Sequence, residues 1–426
     1  MQNPFEPYIN EPYTVTKPEV AEAFKTHLQE GAARLGQDWP LVIGGEHITT
    51  GTWIESHDPC NTSRLVGRAA AAQAEHVDQA VQAALDAQPA WGARPMVERA
   101  RALAKLAAIM RRRRWELAAW EVYEAGKNYL EAEADVAEAI DFCDYYARQA
   151  MTLDDILPTH DFKGEENTTT LQPVGVGVVI PPWNFLLAIM VGTAVAPVVT
   201  GNTVVLKPSP KTPIIAGVFM DIVHEAGFPA GVINLLTGED AVLGDALVEH
   251  EHPRFINFTG SVATGLKIHE KAAKIRPNQQ FLKKTFLELG GKDALIVDET
   301  ADLDAAADAA VASAFGFQGQ KCSAMSRLIV VDAVHDALLE RVKTRMERLT
   351  VGEATDNADV CAVIDETQYN KILGFIDRAK FAATLELGGA PAREGGWYIQ
   401  PTLFSNVNPD SELAQEEVFG PVVAML

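Results

Sequence analysis

The chain is short of cysteine and of positive charge. Four cysteines occur in 426 residues, Cys60, Cys143, Cys322 and Cys361, with no CxxC pair and no cluster with histidine. That excludes a disulfide framework and a thiolate metal site, so no metal is expected and a reducing cytosol fits best. Lys and Arg number 36 against 58 Asp and Glu, a net charge of −22. Such a surface repels nucleic acid and anionic membranes, and phosphates must be held by local groups. No apolar run reaches the roughly 20 residues that a bilayer requires. The most apolar stretch, 185–199, contains Gly192 and Pro197 and reads as a buried helix. The amino terminus MQNPFEPYINEPY has neither the pattern of a secretory signal nor that of an Arg-rich presequence. Neither the GxGxxG fingerprint nor a GK[ST] phosphate loop is present.

What is present divides by rhythm. Residues 1–39 are polar with four prolines and read as an extension that wraps over a neighbouring domain. A short hairpin follows around LVIGGEHITTGTWIESHDP, turning at Gly44, Gly45 and Gly51. Leu103, Leu106 and Met110 then step at helical spacing, and Gly126 is placed to cap that pattern. The Arg111–Arg114 run invites a nucleic-acid reading, but on an acidic chain a solvated helix face is expected. From about Leu171, runs of β-formers alternate with helical stretches: VGVGVVI, TVVLK, VINLL, RFINF. This is the βαβ signature of a parallel, doubly wound sheet. After LELGG a second alternating unit begins, with DALIVD, an alanine-rich helix over 303–315, SRLIVV and an amphipathic stretch over 335–349. The segment between helix and sheet is polar and strand-like at TTTLQ, suited to crossing between domains or subunits.

Four segments carry chemistry. In FGFQGQKCSAMSR, Cys322 follows Gly316 and Gly319 and is flanked by Lys321 and small residues, a setting for an exposed thiol; a lone cysteine is otherwise a small buried hydrophobe. In FLELGGKDA, Glu288 stands between Leu287 and Leu289, which predicts a desolvated carboxyl of raised pKa suited to a general base. Alone, it reads equally as a salt-bridged or solvent-facing residue. VVIPPWNFLLA delivers Trp183, Asn184 and Phe185 to a strand's carboxyl end, where open α/β sheets bind ligands. There Asn184 offers an uncharged N–H to an oxyanion, although an isolated Asn is usually a turn residue or helix cap. TVVLKPSP places Lys207 at a strand end, and in FTGSVATG Gly260 and Ser261 open a helix whose free N–H groups suit a phosphate.

In order, PWNF, LKPS, FTGS, LELGG, GQKCS and EEVFGP resemble the aldehyde dehydrogenase superfamily from about Leu41 to Leu426, including the 34-residue gap between Glu288 and Cys322. DWPLVIGG, ADVAEAIDF, FLKKTFLELGGKDALIVDETAD and SAFGFQGQKCSAMSR resemble its glutamate γ-semialdehyde (1-pyrroline-5-carboxylate) dehydrogenase branch. The resemblance implies an α/β fold with a doubly wound NAD(P)-binding domain over 40–150 and 172–289. It also implies a bridging or oligomerisation segment over 151–171 and a catalytic α/β domain over 290–426 whose C-terminal part is missing. It makes Cys322 the nucleophile, Asn184 the oxyanion donor and Glu288 the base that activates water. Lys207, Gly260, Ser261, Glu417, Phe419 and Trp183 are expected to contact the cofactor, and Glu138, Phe185 and Ser323 the substrate.

The expected activity is oxidation of glutamate γ-semialdehyde to glutamate in proline degradation, by a monofunctional, cytoplasmic homo-oligomer linked functionally to proline dehydrogenase. Another semialdehyde or aliphatic aldehyde remains an alternative substrate, and a non-catalytic NAD-binding relative a further alternative. Two positions depart from the family pattern. Pro210 stands where many members carry an acid, which predicts that NADP is tolerated beside NAD. Leu186 replaces the usual proline after PWNF and leaves the start of the next helix open.

Overall fold

The computed structural model describes residues 5–154, 159–160 and 162–426. Its centre is a seven-stranded sheet. Five parallel strands lie in the order Lys284–Leu289, Phe255–Gly260, Val176–Ile180, Thr203–Leu206, Ile233–Leu235. The hairpin Leu41–Ile43 and Glu46–Ile48, turning through Gly44–Gly45, adds two antiparallel strands at the far edge. Taken in chain order the parallel strands run outward from Val176–Ile180 one way and then the other, so the order reverses between that strand and Phe255–Gly260. A crevice at the carboxyl ends of those two strands is where such sheets bind ligands.

Strand composition explains why this sheet is central. Successive residues face opposite sides. Val178, Val205 and Ile256 pack on one side with Val77, Val81, Leu243 and Leu247, from helices Ala74–Gly92 and Asp240–Glu249. Val179, Val204 and Leu206 pack on the other with helices Ala188–Val199 and Ile214–Ala226. Both faces are therefore covered, as parallel sheets require. The expected helix pattern before Gly126 is interrupted at Arg113, giving Met96–Arg112 and Arg114–Ala125, and Gly126 caps the second at φ 66°. The Arg111–Arg114 run is not simply solvated. Arg111 pairs with Glu11 at 2.8 Å and Asp144 at 2.5 Å, Arg112 with Glu225, Arg113 with Glu116 at 2.8 Å, and Arg114 with Glu11 at 3.4 Å.

Of residues 1–39, 1–4 lie outside the described residues, and the rest is more ordered than its composition suggests. Helix Pro18–Ala32 buries Phe24 and Leu28, and the backbone of Thr14 and Val15 donates to the buried Glu133 carboxylate at 2.8 and 2.7 Å. Within 151–171, residues 155–158 and 161 lie outside the described residues; the rest holds the end of helix Tyr129–Leu153 and exposed chain, with no strand at TTTLQ beyond a single bridge residue, Thr169. A second, five-stranded sheet runs Asp293–Val297, Met325–Val330, Val422–Met425, Thr402–Ser405, Thr384–Leu387, with only the last pair antiparallel. Helix Leu303–Phe315 is as expected, and the amphipathic helix ends at Met346. No described helix is long and apolar enough to cross a membrane.

Glu124 ties two of these layers together. Fully buried, it accepts from Ile214 N at 2.7 Å and Ile215 N at 2.9 Å, filling the orphan donors at the start of helix Ile214–Ala226, and from Ser56 Oγ at 3.2 Å. Burial pushes its pKa up to about 7. A raised carboxyl pKa favours the fold below the unfolded value, about 4.3, and that contribution is lost as pH rises towards 7. Glu124→Gln, which cannot ionise, should flatten that part of the stability–pH curve. Glu124→Ala, which strands the two N–H groups, should cost about 1–3 kcal/mol in denaturant unfolding; an unchanged midpoint for Glu124→Ala would contradict this role.

Candidate active site

The crevice at the strand-order reversal holds a cavity of about 810 Å³, lined by Trp183, Asn184, Lys207, Gly260, Ser261, Cys322, Glu417 and Phe419 among others. Eight of the twelve residues singled out from sequence are thus brought to one space. They come from both sheets. Trp183 and Asn184 follow strand Val176–Ile180, Lys207 follows Thr203–Leu206, Gly260 ends strand Phe255–Gly260 and Ser261 follows it. Cys322 and Glu417 belong to the loops that lead into Met325–Val330 and Val422–Met425.

The Cys322 loop is backbone-driven. After helix Leu303–Phe315, Phe317, Gln318 and Gly319 take φ values of 45°, 56° and 67° in succession. A left-handed conformation costs an ordinary residue on the order of 1–3 kcal/mol, so the surroundings must fix it. They do so with buried amides. Gln318 Nε2 donates to Ala362 O at 2.8 Å and Gly126 O at 3.2 Å, and Gln320 Oε1 accepts from Ile364 N at 2.9 Å. Asn184, 4% exposed, donates through Nδ2 to Gln320 O at 2.9 Å. That bond fixes the Asn184 amide and leaves its second N–H for a ligand.

Cys322 is half-buried and free, whereas Cys60, Cys143 and Cys361 are buried. Burial pushes the Cys322 thiol up, its own and Ser323's backbone N–H groups lower it, and Glu417 and Asp293 add to the rise. Glu417 is itself pushed up by burial, against the Gly291 N–H at 3.2 Å and the lysines Lys371 and Lys292. A side chain at Gly290 would run into the Glu417 carboxylate, so glycine is what allows the strand end and Glu417 to meet.

Glu288 corrects an expectation. Its neighbours Leu287 and Leu289 do not desolvate it, because adjacent strand residues face opposite sides. The two leucines pack beside Phe258 and Ile268, while Glu288 is exposed on the other face of an edge strand. The register sets it beside Thr259, which lines the cavity and whose buried hydroxyl has no hydrogen-bond partner among the described residues. Glu288 itself is not among the lining residues, and neither are Glu138, Phe185 and Ser323. Ser323 is exposed beside Cys322. Phe185 and Phe317 sandwich the buried Lys127 ammonium at 5.1 and 5.0 Å, and Glu138, raised by burial, feels Lys127 and Lys321.

That second group was not read from the sequence. Lys127 is 1% exposed, pairs with Glu121 at 2.9 Å and with Asp135, and Asp135 also accepts from Ala188 N at 2.7 Å. The acid at Asp135 caps helix Ala188–Val199, so the helix after PWNF starts without the proline that Leu186 replaces. Gln318, Gln320 and Asp240 were also missed. Glutamine carries no chemistry of its own to flag it, and Asp240 is far in sequence from the lysine it meets.

Four features suit a dinucleotide. Ser261 caps helix Val262–Ala273, accepting from Thr264 N at 3.3 Å, and its N-terminal turn faces the cavity. Lys207 is 1% exposed yet lines the cavity, held by Pro208 O at 3.2 Å and Asp240. The orphaned Thr259 hydroxyl supplies an unsatisfied polar group at the point where strand order reverses. Trp183 and Phe419 meet edge to face at 5.4 Å, with Phe419 at φ 58°, and present an aromatic wall.

A fold of two α/β sheets with a half-exposed thiol between them is that of the aldehyde dehydrogenase family, whose model matches residues 47–426, and the chain belongs to that family. Its relatives narrow the group. It is 48% identical over 421 residues to the 1-pyrroline-5-carboxylate dehydrogenase of Geobacillus thermodenitrificans, covering 98% of this chain and 82% of that one. The 1-pyrroline-5-carboxylate dehydrogenase 2 of Bacillus subtilis gives the same identity and coverage. The solved 1-pyrroline-5-carboxylate dehydrogenase from Thermus with bound NAD superposes at a TM-score of 0.98, with 46% identity, covering 99% of this chain and 82% of that one. Proline utilization A from Bdellovibrio bacteriovorus superposes at 0.96, with 40% identity, over 99% of this chain and 44% of its own.

Proposed function

We propose that this protein oxidises L-glutamate γ-semialdehyde, formed from 1-pyrroline-5-carboxylate, to L-glutamate, using NAD and tolerating NADP. The observation that carries the proposal is that Cys322 and the tethered Asn184 amide open into the cavity that Lys207, Ser261 and the unsatisfied Thr259 suit to a dinucleotide. Its close relatives bear the name of that activity.

Bound there, the nicotinamide supplies a two-electron acceptor. Lys207 would contact the adenosine ribose, Gly260 and Ser261 the pyrophosphate, and Glu417 the nicotinamide ribose, with Phe419 and Trp183 beside the ring. Cys322 adds through sulfur to the aldehyde carbon, and the Asn184 N–H and the Cys322 backbone N–H stabilise the oxygen anion that results. As the oxygen anion collapses to a carbonyl, the C–H bond breaks and its hydrogen leaves as hydride, which the nicotinamide would accept, so that the acyl group stays on Cys322 as a thioester. Glu288 then takes a proton from water, the hydroxide displaces the thiolate, and the acid leaves. Phe185, Glu138 and Ser323 hold the amino-acid end of the substrate, with Ser323 donating to its carboxylate.

The same reading places the enzyme in the cytoplasm as a homo-oligomer, for which exposed Phe162, Leu171, Phe286 and Ile296 offer apolar surface, with segment 151–171 as the bridge. Its substrate would be supplied by the oxidation of proline. The test follows NADH absorbance at 340 nm with glutamate γ-semialdehyde, succinate semialdehyde and propanal. A clear preference for the first is expected; a preference for either other aldehyde would replace the substrate, and inertness towards all three would favour a non-catalytic relative.

A further inference from the structure

Lys207 cannot stay buried and charged without a partner, and its partner is an acid at the mouth of the same cavity. Asp240 is the first residue of helix Asp240–Glu249 and binds the Lys207 ammonium through Oδ1. Its side chain remains 74% exposed and lines the cavity with Ser209 and Pro210. Asp240 therefore sets one carboxylate beside the lysine from a different element than position 210, where no acid stands.

From this pairing we infer that Asp240 is the residue that sets the preference between NAD and NADP, a role that rests on the ribose lying at Lys207 as proposed above. A carboxylate beside an ammonium forms a donor–acceptor pair matched to the two hydroxyls of a ribose: the ammonium donates and the carboxylate accepts. A 2′-phosphate replaces a donor by up to two negative charges, so it gains Lys207 but meets the Asp240 carboxylate at close range, well within the roughly 10 Å over which exposed charges still interact at about 0.1 M salt. Neutralising Asp240 removes the repulsion and frees Lys207 for the phosphate. Pro210 explains why NADP is admitted at all, and Asp240 why it is admitted at a disadvantage.

The experiment measures dissociation constants for NAD and NADP by titration calorimetry, together with kcat/KM for each. The proteins are the parent, Asp240→Asn, Asp240→Ser, Asp240→Glu and Lys207→Gln, each checked for an intact melting transition. Asp240→Asn and Asp240→Ser should shift the ratio of the two constants towards NADP by about tenfold or more, and Asp240→Glu should keep the parent's preference. A merely structural Asp240 would weaken both cofactors together and leave the ratio alone. A ratio unchanged within about threefold in both neutral variants, with Lys207→Gln still weakening NAD, overturns the role of Asp240 while sparing the cofactor site. Unaltered NAD affinity in Lys207→Gln overturns the placement of the ribose, and the inference with it.

Discussion

Cys322→Ala should lose NADH formation by at least about ten-thousandfold, because removal of a nucleophile leaves only binding and oxyanion stabilisation to act on water. Cofactor binding should persist, since the sulfur belongs to the second sheet's loop while Lys207, Gly260 and Ser261 belong to the first. The parent thiol offers a second readout. Burial holds it above the ordinary cysteine range, near 8.5, so the thiolate fraction at neutral pH is small and grows with pH. Iodoacetamide labelling of Cys322, followed by intact mass, should therefore accelerate about tenfold per pH unit from 6 to 8, with Cys60, Cys143 and Cys361 protected by burial. Residual turnover in Cys322→Ala near the parent's rate would show that another group attacks the aldehyde.

Asn184→Ala is expected to lower kcat by about 100–1,000-fold, the loss typical of one oxyanion donor. The geometry adds a particular. Asn184 Nδ2 is tied to Gln320 O, two residues before Cys322, so the donor and the nucleophile share one frame. Asn184→Asp, which keeps the shape but loses both N–H groups, should be as damaging as alanine, and rapid mixing should show slowed acylation rather than slowed thioester release. A loss below about fivefold, or a defect confined to release, would remove Asn184 from the oxyanion role.

The sheet was legible because its strands are short runs of Val, Ile, Leu and Phe, buried on both sides and separated by helical stretches. Helix 303–315 was legible because alanine-rich sequence lacks competing signals. The segments at strand ends were legible as well, since glycine and proline mark where a backbone turns towards a ligand. Illegible features depend on distant contacts. Leu287 and Leu289 suggest burial of Glu288 only if neighbours along a strand are imagined on one side. The break at Arg113 and the use of each arginine from 111 to 114 depend on Glu11, Glu116, Glu225 and Asp144, spread over more than half the chain. The left-handed run at Phe317 and Gln318 has no sequence signature, because its cause is the carbonyl groups of Gly126 and Ala362 to which Gln318 is bound.

Strand Val422–Met425 lies in the middle of the second sheet, between Met325–Val330 and Thr402–Ser405, and Glu417 stands just before it. A chain emerging from the ribosome thus exposes its thiol long before it acquires the carboxylate beside Gly290 or the central strand that closes the sheet. Until that strand slots in, the sulfur is an ordinary cysteine on an unfinished edge, and competence waits on a segment that follows the thiol by about a hundred residues.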